Sequence, residues 1–151
     1  MKGDILFYTS GGGLFDRLIC WRTRGPFVHC AVDLGDGTVI ESHWRTGVRV
    51  NPVNYAGSNV YSLPTTPSNI DAGIAWLHSH VGDPYGYSDI LDQFLTLLLP
   101  HGLIVSQQHG FDCSDLVARF IQVAGGMELG SLLDTPSLIS PNDLARHAGL
   151  I

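Results

Sequence analysis

Residues 27–44 constrain the fold more than any other stretch. FVHCAVDL (27–34) and TVIESHW (38–44) are runs of β-forming residues, and Gly35-Asp36-Gly37 between them supplies a turn, so together they read as a β-hairpin. In the first run Val28, Cys30, Val32 and Leu34 alternate with Phe27, His29, Ala31 and Asp33. The first set is uniformly apolar and is expected to face the core, with His29 on the opposite face. If the turn is a three-residue loop, Ala31 faces Glu41 and His29 faces His43. Glu41 then lies diagonally from His29 on one face, about 7 Å between Cα positions. A Glu side chain spans that distance and can hold an imidazole in one tautomer. A two-residue turn would instead put Glu41 on the other face.

Further strands are expected at 4–9, 48–50 and 60–63, with Pro64 and Pro67 ending the sheet region. Gly11-Gly12-Gly13 breaks the first strand, and 14–21 suits a short helix. The spacing predicts longer helices over 70–81, 87–99 and 113–124, the last closed by Gly125-Gly126. Ser140-Pro141 opens a final short helix over 144–148. The sum is one α+β domain over 1–151, a small antiparallel sheet packed against helices.

Charge excludes one class of partner. Eight basic against fourteen acidic residues leave a formal charge of −6, without a basic stripe for phosphates, so no nucleic acid is expected. The longest uninterrupted apolar stretch is Leu97-Leu98-Leu99, far short of the ~18 residues of a membrane span. Asp4 interrupts the apolar run a signal peptide needs, so synthesis in the cytoplasm is the expectation. Cys20, Cys30 and Cys113 are too few, and odd in number, for a disulfide framework, which points to free thiols in a reducing compartment.

Phe111-Asp112-Cys113-Ser114-Asp115-Leu116-Val117 carries the strongest chemistry. Asp112 fits an N-cap, with Asp115 three residues on as in a capping box. Leu116, Val117, Phe120, Ile121 and Ala124 form an apolar stripe, and the Cys113 thiol lies on the same face. The N–H groups of a helix start lower a thiol pKa and can hold a developing oxyanion. Asp112 and Asp115 oppose a thiolate, so the site also needs a cation, normally an imidazolium. The expected unit is Cys113 as nucleophile, His29 as base and then acid, and Glu41 as orienter. The competing reading is a buried Cys acting as a small hydrophobe.

FVHCAVDLGDGTVIES resembles the His-bearing hairpin of the circularly permuted NlpC-like cysteine peptidases and amidases, which have a papain-like fold. GDILFYTS resembles that group's opening strand, FDCSDLVARFIQVAG its Cys helix, and GDPYGYSDIL the Gly-x-Pro-Tyr element of NlpC-like enzymes. His29 preceding Cys113 matches the permuted order. The resemblance implies a permuted papain-like fold with Cys113, His29 and Glu41 as the triad. It implies that Tyr85 lines the site near the oxyanion. The chain departs from the usual Asp-Cys-Ser-Gly in having Asp115 at the Gly position. It also has Glu41 where unpermuted members have His or Asn.

Other signals point elsewhere. Gly11-Gly12-Gly13 has no Gly-Lys-Ser/Thr or G-x-G-x-x-G context, so a loop or turn is expected and no nucleotide. His78, His80, His101 and His109 lack metal-ligand spacing and read as surface histidines, so neither metal nor cofactor is expected. Cys30 and Cys20 read as structural. Trp21, Trp44 and Trp76 read as core, with Trp44 the best exception because it ends the hairpin strand near the site. Residues 92–99 are apolar nearly all round and read as a buried helix.

The implied function is hydrolysis of an amide through a covalent thioester. The implied substrate is a peptide or muropeptide, a peptidoglycan stem peptide or related isopeptide. A wall-cleaving enzyme without a signal would need delivery by a phage particle, a lysis system or a secretion machine. Two alternatives stand beside it: acyl hydrolysis or transfer on lipid, with 91–99 lining a groove, and a non-catalytic binding domain. Composition and spacing leave the oligomeric state open.

Overall fold

The computed structural model describes residues 1–86, 110–130 and 139–151. The helix expected over 87–99, its groove, and His101 and His109 lie outside these residues. The described residues form an α+β arrangement. Its strands are β1 (Ile5–Thr9), β2 (Phe27–Asp33), β3 (Thr38–His43), β4 (Gly47–Pro52) and β5 (Ser58–Tyr61). Its helices are α1 (Leu14–Thr23), α2 (Pro67–Ser79), α3 (Cys113–Ala124) and α4 (Pro141–His147). The strands make one antiparallel sheet, ordered β4-β3-β2-β1-β5.

One sheet face carries the main core. Ile5, Phe7, Val32, Ile40 and Val48 pack there against Leu77 of α2, Leu116, Phe120 and Ile121 of α3, and Leu144 of α4. Among the described residues the other face carries a smaller cluster, Leu6, Ala31 and Val39, with Tyr8 and Val53 against it. Among the described residues this thinner face also carries His29, Glu41, Arg49 and Asn51. Helices α2 and α3 approach closely at Gly73, where a Cβ would stand 2.7 Å from the Phe120 ring.

The alternation expected in β2 fails at its start. Tyr8 pairs with His29 but Thr9 with Phe27, a register shift that leaves Val28 as an extra residue. This bulge turns Phe27 into the core, where its ring sits 5.5 Å from that of Phe7, and leaves Val28 only half-buried. Asn142, fully buried, holds the shift in place. Its Oδ1 accepts from Phe27 N–H at 3.0 Å, and its Nδ2 donates to Phe27 O at 2.7 Å and Thr23 Oγ1 at 2.6 Å.

Boundaries move for local reasons. β5 starts at Ser58 instead of 60, because its length is set by pairing with β1 from Ile5↔Tyr61 to Tyr8↔Ser58. α2 starts at Pro67 instead of 70, because Thr66 caps it by accepting from Asn69 N–H at 3.3 Å and Pro67 needs no partner at N1. α4 likewise starts at Pro141, under a complete Ser140–Asp143 capping box. Two tryptophans expected in the core are exposed. Trp21 is 66 % exposed, on a ten-residue helix that also leaves Leu14 outside, and Trp44 is 52 % exposed past the end of β3. Trp76 is half-buried against the core.

Candidate active site

The hairpin has the three-residue-loop register. Val32 opposes Ile40, Asp33 opposes Val39, and Leu34 N–H donates to Thr38 O at 2.9 Å. Continued along the strands, this register puts Glu41 diagonal to His29 on the thin face. The ladder itself ends at Val32↔Ile40. Past that rung both strands bond to the start of α3 instead. Cys30 donates its S–H to Cys113 O at 3.4 Å, and Ser42 Oγ donates to Phe111 O at 2.5 Å. The opened end of the hairpin therefore receives the N-terminus of α3, and Cys113 with it. This lets a histidine on the thin face meet a cysteine from the core side, and the bulge beside His29 re-aims the strand at that point.

His29 and Glu41 are joined by Nε2···Oε2 at 2.7 Å, with Glu41 buried and His29 a quarter exposed. The Glu41 bond occupies Nε2 and leaves Nδ1 as the other ring nitrogen, and the charges of the imidazole and the Cys113 sulfur act on each other. Glu41 Oε1 accepts from Arg49 Nε at 2.9 Å, Arg49 Nη2 at 2.7 Å and Asn51 Nδ2 at 3.3 Å. One carboxylate oxygen thus serves the histidine and the other is held by β4. Sequence reasoning passed over Arg49 and Asn51. The alternation in VRVN was the available signal, since β4 pairs Arg49 with Glu41 and Asn51 with Val39 on the same face. Tyr8 was missed too, and its ring lies 5.7 Å from that of His29.

The electrostatics favour a thiolate–imidazolium pair. Burial pushes the His29 pKa down, but the charge and hydrogen bond of Cys113, followed by those of Glu41, outweigh it and raise it to about 10. Cys113 moves well below its ordinary 9.0. The hydrogen bond from the Cys30 thiol leads, burial opposes, and His29 adds its charge and its bond. Burial pushes Glu41 up, but His29 and Arg49 hold it down at about 2. Cys30 itself is pushed well above 9.0, by burial first and then by Cys113, so it stays a protonated donor.

The two aspartates flanking Cys113 are occupied. Asp112 caps α3 by accepting from Asp115 N–H at 2.7 Å, and it also accepts from Ser114 Oγ at 3.1 Å. The expected capping box is met in this first half. The Asp115 carboxylate reaches forward to Arg119 Nε at 3.0 Å. Burial raises the Asp115 pKa and Arg119 partly offsets this, so an acid is accommodated at the position where the resembling enzymes have Gly.

Tyr85 lies close in chain path. It forms a parallel bridge with Phe111, flanked by Gly86 N–H to Phe111 O and Phe111 N–H to Pro84 O, both 3.2 Å. This seats Tyr85, half-buried, beside Phe111, which is two residues before Cys113. Trp44 is half exposed, with the Arg45 guanidinium 4.4 Å above its ring and the His43 ring 6.0 Å away. His80, expected on the surface, is partly buried, its ring 4.2 Å from that of Trp76 and edge-on to Phe111 at 5.1 Å. A cleft beside the first turn of α3 is lined by Trp76, His80, Phe111, Asp115 and Arg119. Among the described residues no three His, Cys, Asp or Glu side chains are grouped to hold a metal. No helix among them is long and apolar enough to cross a membrane. No family model matches the chain, and no curated protein matches it.

Proposed function

We propose that the chain is a cysteine hydrolase of the permuted NlpC-like, papain-like type, cleaving amide bonds through a covalent thioester. The observation that carries this is one imidazole held by Glu41 at 2.7 Å, its charge lowering the pKa of a thiol at a helix start. Isolated buried cysteines have their pKa raised and are inert, whereas this one has a cation and donors around it. The Cys113 thiolate attacks the carbonyl carbon, and the negative charge moves to the carbonyl oxygen. N–H groups at the start of α3, with Tyr85 alongside, receive that oxyanion. His29, already protonated, gives its proton to the leaving amine. Water deprotonated by His29 then attacks the thioester and releases the acid and Cys113. Glu41 keeps the ring in one orientation, and Arg49 keeps Glu41 in place. We take the substrate to be a peptide or muropeptide, on the strength of the resemblance in residues 27–42, 82–91 and 111–125.

The test is incubation with purified muropeptides and peptide amides, read by mass spectrometry for new amine and carboxyl termini. Cleavage by the parent and none by Cys113→Ala is expected. Intact substrates, with Cys113 alkylated no faster than Cys20, would sink the reading. Fatty acid released from a phospholipid while muropeptides stay intact would move the same triad to ester chemistry.

A further inference from the structure

The hydrolytic scheme leaves Cys30 unused as a reacting group, although its S–H donates to the Cys113 carbonyl oxygen at 3.4 Å and the two thiols shift each other's acidity. Successive residues of β2 thus flank Cys113, His29 with its imidazole and Cys30 with its thiol. Their accessibility differs. Cys30 is fully buried, whereas Cys113 is 8 % exposed beside a partly exposed His29. A small oxidant therefore meets Cys113 first. Their acidity also differs, since Cys113 is held well below the ordinary thiol value by Cys30 and His29 and burial holds Cys30 well above it. Thiolates react with peroxides and thiols hardly do.

We propose that Cys30 and Cys113 form a peroxide-modification site, in which hydrogen peroxide oxidises Cys113 and Cys30 then closes a Cys30–Cys113 disulfide. In the first step the Cys113 sulfur attacks one peroxide oxygen. The O–O bond breaks, the sulfur becomes a sulfenic acid, and hydroxide leaves to take up a proton as water. In the second step the Cys30 sulfur attacks the sulfenic sulfur. The S–OH bond breaks, the Cys30 proton leaves with that hydroxyl as water, and the S–S bond forms. The pair is oxidised by two electrons and the peroxide is reduced to two waters. A dithiol reverses the modification by exchange. The disulfide withholds the sulfur from further, irreversible oxidation to the sulfinic acid. None of this requires Cys113 to act on amides. A chain without hydrolase activity that forms this disulfide would defeat the proposed function and leave the inference standing.

The experiment treats the full reduced chain with hydrogen peroxide and maps its peptides under non-reducing conditions. Alkylatable Cys30 and Cys113 are expected to disappear together, replaced by one cross-linked peptide pair, while Cys20 stays alkylatable. Dithiothreitol should restore both thiols. In Cys30→Ala, with folding checked by circular dichroism, Cys113 should pass to sulfinic acid under the same dose and not recover. Should that variant fail to fold, the parent map decides alone. Three outcomes overturn the proposal: Cys113 as sulfinic acid in the parent with Cys30 still alkylatable, a Cys20–Cys113 cross-link, or Cys20 oxidised before Cys113.

Discussion

At the scale of single residues, proton placement is the testable quantity. Cys113 sits well below 9.0 largely through Cys30 and His29, so it should alkylate at about pH 6, where an ordinary thiol is almost wholly protonated. In His29→Ala the cation is gone while burial remains. Alkylation of Cys113 at that pH should fall, by about tenfold for each pKa unit that the His29 charge supplies. Peptide mass spectrometry reads all three cysteines at once. An unchanged rate would mean that His29 does not hold the charge. Arg49 acts one step further out. Its two bonds to Glu41 Oε1 fix which oxygen faces His29, and its side chain is a third exposed, so solvent already screens it. Arg49→Gln should cost about 1 kcal/mol of stability in urea titration. It should also broaden the pH profile of Cys113 alkylation, an effect that a merely structural contact would not have.

At the scale of elements, the site depends on how α3 and β2 are seated. Asp112→Ala removes the cap from Asp115 N–H and should cost about 1 kcal/mol, measured by chemical denaturation. Asn142 matters more, because it is fully buried and satisfies both main-chain groups of Phe27 at the bulge. Asn142→Ala leaves a donor and an acceptor unpaired in the interior, at about 2–3 kcal/mol. It should also slow Cys113 alkylation by releasing the strand that carries His29. Gly73→Ala sets two effects against each other. Helix propensity favours Ala by at most about 1 kcal/mol, whereas a Cβ at 2.7 Å from Phe120 forces overpacking that costs about 1–3 kcal/mol. A lower melting temperature is expected, and a higher one would show that α2 and α3 separate freely.

At the scale of the whole molecule, the coupled pair shapes stability against pH. His29 is protonated to about pH 10 when folded and to 6.5 when unfolded, so its contribution is complete below 6.5 and is lost as pH rises toward 10. Cys113 runs the other way. Its contribution is complete above 9.0 and is lost as pH falls through its lowered value. Between 6.5 and 9.0 the two slopes cancel, because folding transfers one proton from sulfur to imidazole and takes up none. Glu41 adds a loss as pH falls from 4.5 toward about 2. The stability of the parent relative to Cys113→Ala/His29→Ala should therefore be flat from 6.5 to 9.0 and decline on both sides. A steady slope through that interval would exclude the ion pair.

Local signals in the chain suffice for much of this. The Cys113–Ala124 helix is readable from its cap, apolar stripe and closing glycines, because helix ends and faces follow from neighbours within one or two turns. The β2–β3 turn and the presence of Glu41 and His29 in one hairpin are readable for the same reason. Tertiary structure decided the rest. The alternation in β2 predicts Phe27 outside and says nothing of the bulge, which arises from pairing with β1 and from Asn142, 115 positions away. Arg49 and Asn51 became part of the site only through pairing of β3 with β4. Cys30 read as a core residue, and it is one, yet its thiol sits against Cys113 because α3 packs into the open end of the hairpin. Periodicity reports which face of an element is buried, but what lies against that face depends on contacts between residues far apart in the chain.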